Sequence, residues 1–344
     1  MPLILPYQTP EKLNISGVIK QSASDFEVTE IPLYLPEGRG EHVYVTLRYK
    51  NKNTKDLQRE LKKIFLLDDR DIGVAGLKDK HATVTQAFSL RLPQRDVVGE
   101  VIDKIKNNPD IDVIKAQRHV NKLKMGHLLG NHFKIVVSQT SANALQIADE
   151  INQHLKILGL ANFFGVQRFG VKKDNAIRGK ECLLGIKKIK DRWMKRLMLS
   201  AYTSDLFNRY LVKRIDNNLF DCIAVGDIAK KIETGGLFEV DNISCEQERF
   251  DNQEIMYTGP IFGSKMKMST GLPGKIERDM FDDEGLNQEL FKKNKVPGSR
   301  RVGRIFVNDL QLDKHPDGIV FEFTLPKGSY ATVLLREFIK NGEL

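Results

Sequence analysis

The 344-residue chain predicts an α+β fold in two domains, on three observations. First, polar and apolar residues alternate at two places near the start. Phe26 and Val28, with Ile31, mark a half-buried strand, and Val43, Val45, Leu47 and Tyr49 mark a clearer one from His42 to Tyr49. Second, the spacing then changes to that of a helix at Leu57, Leu61, Ile64 and Phe65, with Thr54 as its cap. Third, the length exceeds that at which single cores usually stop growing, so two domains, or one domain with a large insertion, are expected.

The remaining elements follow in order. Residues 14–20 read as an extended entry and 36–40 as a loop. The β-branched run Thr83–Thr85 starts a strand that continues through Ala87–Leu92, and Val98, Val101, Ile102 and Ile105 have helical spacing within 97–107. A strand is expected from Asp112 to Arg118, and a basic loop from Lys122 feeds a buried strand ending near Val137. Ser141 is expected to cap a helix through Leu145, Ile151, Leu155 and Leu158 that Gly159 ends. A long helix near 187–214 sets Trp193, Met194, Leu197, Met198 and Ala201 inward and leaves Arg192, Lys195 and Arg196 outside. From Cys222 to Asn294 glycine punctuation predicts short strands and loops. Strands at 305–307 and 318–325 and a helix through Leu334, Leu335, Phe338 and Ile339 close the chain.

Composition bounds the function. The three cysteines are widely spaced with no Cys-x-x-Cys pair, which suggests neither a disulfide framework nor a thiolate metal site and fits a reducing compartment. Histidines lack ligand spacing, so no metal is expected. The start lacks a basic leader and no run is long enough to span a membrane, so a soluble, cytoplasmic protein is expected. The net charge of +9 is local: residues 168–214 hold 14 Lys or Arg against 4 Asp or Glu, an excess of +10 that leaves −1 elsewhere. A concentrated basic surface suits a polyanion, most commonly nucleic acid, and a solvated helix face is the plainer alternative. Gly271-Leu-Pro-Gly-Lys275 lacks the earlier glycine and the Ser/Thr of a phosphate loop, so no nucleotide cofactor is expected.

Two segments carry candidate chemistry. Gly73 to Gln86 is a short apolar run with two glycines, permitting tight or left-handed backbone, that ends on Asp79 among Lys78, Lys80 and His81. Cations beside the acid favour its ionised form, although a solvated charged turn has the same composition. Asn162-Phe-Phe-Gly-Val-Gln-Arg-Phe-Gly170 groups three aromatics around Arg168. Such planes suit stacking on unpaired bases, or two or three core phenylalanines beside a surface arginine.

Six pieces, in order, resemble the tRNA pseudouridine synthase D (TruD) family. They are Ser16-Gly-Val-Ile-Lys20, Asp25-Phe-Glu-Val-Thr-Glu30, Gly76-Leu-Lys-Asp-Lys-His-Ala-Thr-Val-Thr-Gln86, Gly130-Asn-His-Phe133, the 162–170 segment, and Leu325-Pro-Lys-Gly-Ser-Tyr-Ala-Thr-Val-Leu-Leu-Arg336. The region from about 221 to 295 matches loosely. The resemblance implies an isomerase that converts uridine to pseudouridine in tRNA, at position 13, without cofactor. It implies a catalytic domain of 1–158 plus 304–344 with a mixed, largely antiparallel sheet, an inserted α/β domain at 159–303 carrying the basic face, and RNA received between them. Asp79 aligns with the catalytic aspartate, Lys20 with the basic residue beside it, and Phe133 with an aromatic that stacks on the flipped-out base. Asn131, Gln167 and Arg168 become RNA or loop contacts, and Lys78, Lys80 and His81 phosphate contacts. A monomer is expected. A non-catalytic RNA-binding or chaperone protein on the same fold is the alternative, and it predicts loss of the aspartate that is present here.

Overall fold

A computed structural model describes residues 3–92, 98–106 and 108–340. Their contacts divide into two compact units. The first comprises the described residues of Leu13–Asn152 with Val307–Ala331, and the second those of Gln153–Phe306 with the described parts of the two ends, 3–12 and 332–340. The sequence reading instead puts both ends with the catalytic part. In the structure the two ends hold each other: the Glu337 carboxylate accepts from the Gln8 and Thr9 backbone N–H groups, and Arg336 donates to the carbonyls of Leu5 and Pro6.

The first unit is built on one sheet. Its strands are β1 (Phe26–Pro32), β2 (His42–Lys50), β3 (Ile72–Val74), β4 (Thr83–Arg91), β5 (Ile111–His119) and β6 (Leu128–Ser138), with helices α1 (Thr54–Phe65) and α2 (Val98–Lys106) between them. The expected helix over 97–107 is α2, and its two outer positions lie outside the described residues. The chain leaves through α3 (Ala144–Leu158) and returns much later for two further strands. Across the eight-stranded sheet, β1 lies between β4, to which it is parallel, and β6, to which it is antiparallel, and the other neighbours are antiparallel. The mixed sheet is therefore parallel at its centre.

The second unit holds β7 (Leu160–Ala161), α4 (Asn175–Leu183), the 25-residue α5 (Arg192–Asp216), β8 (Ile228–Lys231), β9 (Leu237–Glu239), α6 (Ile243–Asp251), β10 (Ile255–Ile261), α7 (Gly271–Asp283), α8 (Gln288–Lys293), β11 (Ser299–Val302) and β12 (Arg304–Ile305). The strands returning to the first unit are β13 (Gln311–His315) and β14 (Gly318–Pro326), and α9 (Ala331–Ile339) ends the fold.

Three local expectations are corrected. The region 222–294 contains helices α6, α7 and α8 as well as strands; Asn242 and Asn287 cap α6 and α8, a role the glycine count obscures. Trp193 is not inward but 50% exposed, because the buried stripe of α5 starts a turn later and runs through Met198, Tyr202, Leu206 and Tyr210. The cap of α1 is Asn53, whose side chain accepts from the Asp56 N–H, which releases Thr54 for another task.

Inside the second unit Arg214 is fully buried and held by both oxygens of Asp227 at 2.7 and 2.8 Å, with its guanidinium 3.6 Å from the Tyr257 ring centre. Deleting one member of such a pair strands a buried charge. Asp227→Ala is therefore expected to lower the unfolding free energy by about 3–5 kcal/mol, measured by urea denaturation, and a loss under 1 kcal/mol would contradict it.

Candidate functional site

Asp79 sits on the loop between β3 and β4, with 62% of its side chain exposed to solvent. Its carboxylate lies 3.5 Å from the Lys20 ammonium, which is itself only 22% exposed. Lys20 reaches it from the entry segment, which a short antiparallel bridge between Val18 and Ser138 fastens to the end of β6. Gly17 makes that approach possible: it has φ +111°, and a Cβ there would meet the Ser138 carbonyl at 2.8 Å. Lys20 itself takes the left-handed conformation, uncommon for a side-chain-bearing residue and costly in free energy.

Beneath the ammonium lies a column of rings. The Lys20 nitrogen is 4.4 Å from the centre of the Phe26 ring, Phe26 packs edge-on against Phe133, and Phe133 stacks on Phe323 at 5.4 Å. The pairing of β1, β6 and β14 sets Val28, Phe133 and Phe323 side by side. Phe133 is thereby only 7% exposed. In this structure the ring is packed on Phe323 and supports the ring under Lys20.

Lys78 departs from expectation. Its side chain is 6% exposed and turned into the sheet, 3.3 Å from Glu30, which is 3% exposed. It donates a close hydrogen bond to Asn131 Oδ1 and does not stand on the surface where the sequence places a phosphate contact. Burial pulls its ammonium below the usual lysine range, and the Glu30 carboxylate opposes that. Glu30 is held in turn by Gln86 Nε2 at 3.2 Å. That amide also donates to the Gly76 carbonyl, while its oxygen accepts from the hydroxyls of Tyr49 and Thr54. Thr54 then accepts the Lys78 backbone N–H at 2.8 Å, closing the network onto the loop. Neither Gly73 nor Gly76 is left-handed; Gly73 is required because a Cβ would sit 2.1 Å from the Leu123 carbonyl.

Lys80 and His81 are exposed on the same loop. Gln167 and Arg168 belong to the second unit, on a 3-10 turn at Val166–Phe169. Gln167 hydrogen-bonds Thr332, and Arg168 donates to the hydroxyls of Ser204 and Ser200 on α5 while facing the Phe164 ring. Phe164 also lies 4.0 Å from the Arg301 guanidinium, and Phe163 is buried, so these two of the 162–170 aromatics are engaged in packing. The structure thus brings Lys20, Asp79, Lys78, Asn131 and Phe133 together and adds Glu30, Gln86 and Thr54. Strict alternation would have found Glu30: Phe26, Val28 and Glu30 share the inward face of β1, not Ile31. Among the described residues no group of three or more His, Cys, Asp or Glu could hold a metal ion, and no helix is long and apolar enough to cross a membrane.

The family model of tRNA pseudouridine synthase D (TruD) matches residues 5–187 and 178–338. The chain belongs to the TruD family. Curated TruD relatives agree: one named tRNA pseudouridine synthase D from Anaeromyxobacter dehalogenans is 36% identical, over 98% of this chain and 96% of its own length. One of the same name from Thermus thermophilus is 35% identical, over 97% and 92%. A solved structure from Methanosarcina mazei, carrying the TruD name at 23% identity, superposes with a TM-score of 0.76 over 98% of this chain and 96% of its own, and so shares the TruD fold.

Glu30→Gln is expected to lower stability by roughly 3 kcal/mol, since it leaves the Lys78 ammonium buried without its counter-charge. It should also speed amide hydrogen exchange across residues 77–82, with Glu30→Leu combined with Lys78→Met recovering most of the stability. Exchange in this loop as slow as in the wild type would show that the pair does not hold it.

Proposed function

We propose that this protein isomerises uridine to pseudouridine in tRNA, at position 13, with Asp79 as the chemical group. The reaction breaks the C1′–N1 bond, turns the uracil and joins C1′ to C5, while C5 gives up its proton and N1 gains one. Atoms and electrons balance within the nucleotide, so one carboxylate acting as a nucleophile, or as a base at the sugar, can be the main catalyst. What supports the reading is a carboxylate that is solvent-facing yet fixed. Asp79 is open to a macromolecular substrate, while its neighbour Lys78 is anchored in the sheet and Lys20 stands 3.5 Å away.

Each surrounding residue has a role in this reading. Lys20 aims the carboxylate and supplies opposite charge beside it as RNA excludes water. A uridine in a helix hides its C1′, so it must first leave the stack, at a cost of a few kcal/mol. Phe133 contributes by holding Phe26 beneath Lys20. The Lys78 ammonium can only donate, so it fixes the Asn131 amide with oxygen inward, leaving the Asn131 NH₂ to donate to substrate. Lys80 and His81, exposed beside Asp79, meet backbone phosphate. Gln167 and Arg168 set the 162–170 turn on α5 and α9. The catalytic role falls to the unit containing the eight-stranded sheet, the basic face to the other, and the setting is the cytoplasm.

Given unmodified tRNA without metal or cofactor, the wild type should form pseudouridine at one mapped position. Asp79→Asn should lose at least about four orders of magnitude in rate while binding tRNA within a few-fold of wild type. Full activity in Asp79→Asn would remove Asp79 from the chemistry.

A further inference from the structure

The local charge excess does not survive folding as a uniform basic face. Several of its cations are consumed internally: Lys180 and Arg209 pair with Glu284, Lys187 with Glu181, Arg214 with Asp227, and Arg168 is spent on serines. Three of those left over line a groove of about 720 Å³ within the second unit. One wall is the start of α5, with Arg192, Lys195 and Arg196; the other is the segment leaving α8, with Lys293 and Lys295. Among the described residues no carboxylate lines it. None of these five cationic heads makes an ion pair or a side-chain hydrogen bond among the described residues.

Folding alone does not account for this arrangement. A helix N-terminus carries partial positive charge and favours acids, yet the first turn of α5 has none, and three cations crowd its first five residues. The carboxylate at this end, that of the cap Asp191, is turned onto the Met194 N–H. Two further cations from about a hundred residues away in sequence face the same space. Like charges brought together against a helix dipole without counter-charge weaken the fold, and a bound polyanion reverses the sign of each of these terms.

We propose that this groove binds backbone phosphates of the tRNA substrate, holding the RNA at a point separate from the nucleotide that reacts at Asp79. The inference rests on the tRNA-modifying reading above. Its contacts are to phosphate and carry no base preference, so the groove sets affinity and salt dependence rather than the rate of the chemical step.

The test measures tRNA affinity across a salt series for Lys195→Glu with Arg196→Glu, for Lys293→Glu with Lys295→Glu, and for the corresponding glutamine pairs. Lys275→Glu with Lys292→Glu is the control, because it changes net charge equally at exposed lysines outside the groove. Each groove pair should weaken binding by about tenfold or more and lower the slope of log affinity against log salt by about 1 to 2, as expected for one or two lost phosphate contacts. Single-turnover conversion at saturating tRNA should remain near that of wild type. The control should change affinity less than threefold. Unchanged affinity and slope in the groove variants, or an equal effect in the control, would overturn the groove while leaving the Asp79 reading intact. A wild type that neither binds nor modifies tRNA would instead overturn the reading on which the groove depends.

Discussion

The buried Lys78–Glu30 pair is the constraint on which the site depends. An ammonium with 6% exposure loses most of its hydration, and such a loss is tolerable only where counter-charge and hydrogen bonds replace the water. Here the three central strands supply them: Glu30 from β1 and Asn131 from β6 meet the ammonium, and Gln86 from β4 holds Glu30 in place. Because β1 runs between β4 and β6, those residues converge only if the register of both pairings is correct. The loop is therefore tied to the most constrained part of the sheet. Lys78 turns inward and Asp79, the next residue, turns outward, so the network fixes a residue it never touches.

The same accounting separates two uses of charge. In the first unit a lysine is buried to hold a loop, and in the second Arg214 is buried to hold a core; both are matched by acids at close range. Asp79 and Lys20 form a half-exposed pair whose strength depends on how much water surrounds it. The cations at the start of α5 form no ion pair among the described residues. Charge that folding has not neutralised is available to a partner, and the groove proposal assigns that partner as RNA.

Much of this was legible in the sequence, and the misses share a cause. Strand alternation, the helix after Thr54, the pairing of Lys20 with Asp79 and the local basic excess were readable because each depends on neighbouring residues or on a motif carried whole. What failed was partner choice over long separations. Lys78 was read as a phosphate contact because a lysine beside an acid looks solvated, and nothing local announces that Glu30 and Asn131 wait in the sheet. The signal that existed was a polar residue in an apolar slot: Glu30 after Phe26 and Val28, and Gln86 between Val84 and Phe88. Two such residues on neighbouring strands mark a buried polar network. The packing of Phe133 is hidden from the sequence for the same reason, since its stacking partner Phe323 lies 190 positions away.

If the network places a carboxylate, then position matters as much as charge. The most direct measurement is the single-turnover rate of uridine-to-pseudouridine conversion for Asp79→Glu with tRNA saturating and affinity measured in parallel. That variant keeps the negative charge and moves it by one methylene. A fixed site predicts a rate lower by about a hundredfold or more at unchanged affinity, because displacements near 1 Å have effects of that size. A rate within a few-fold of wild type would contradict the account, showing that any nearby carboxylate suffices and that the Lys78–Glu30 anchor does not position the reacting group.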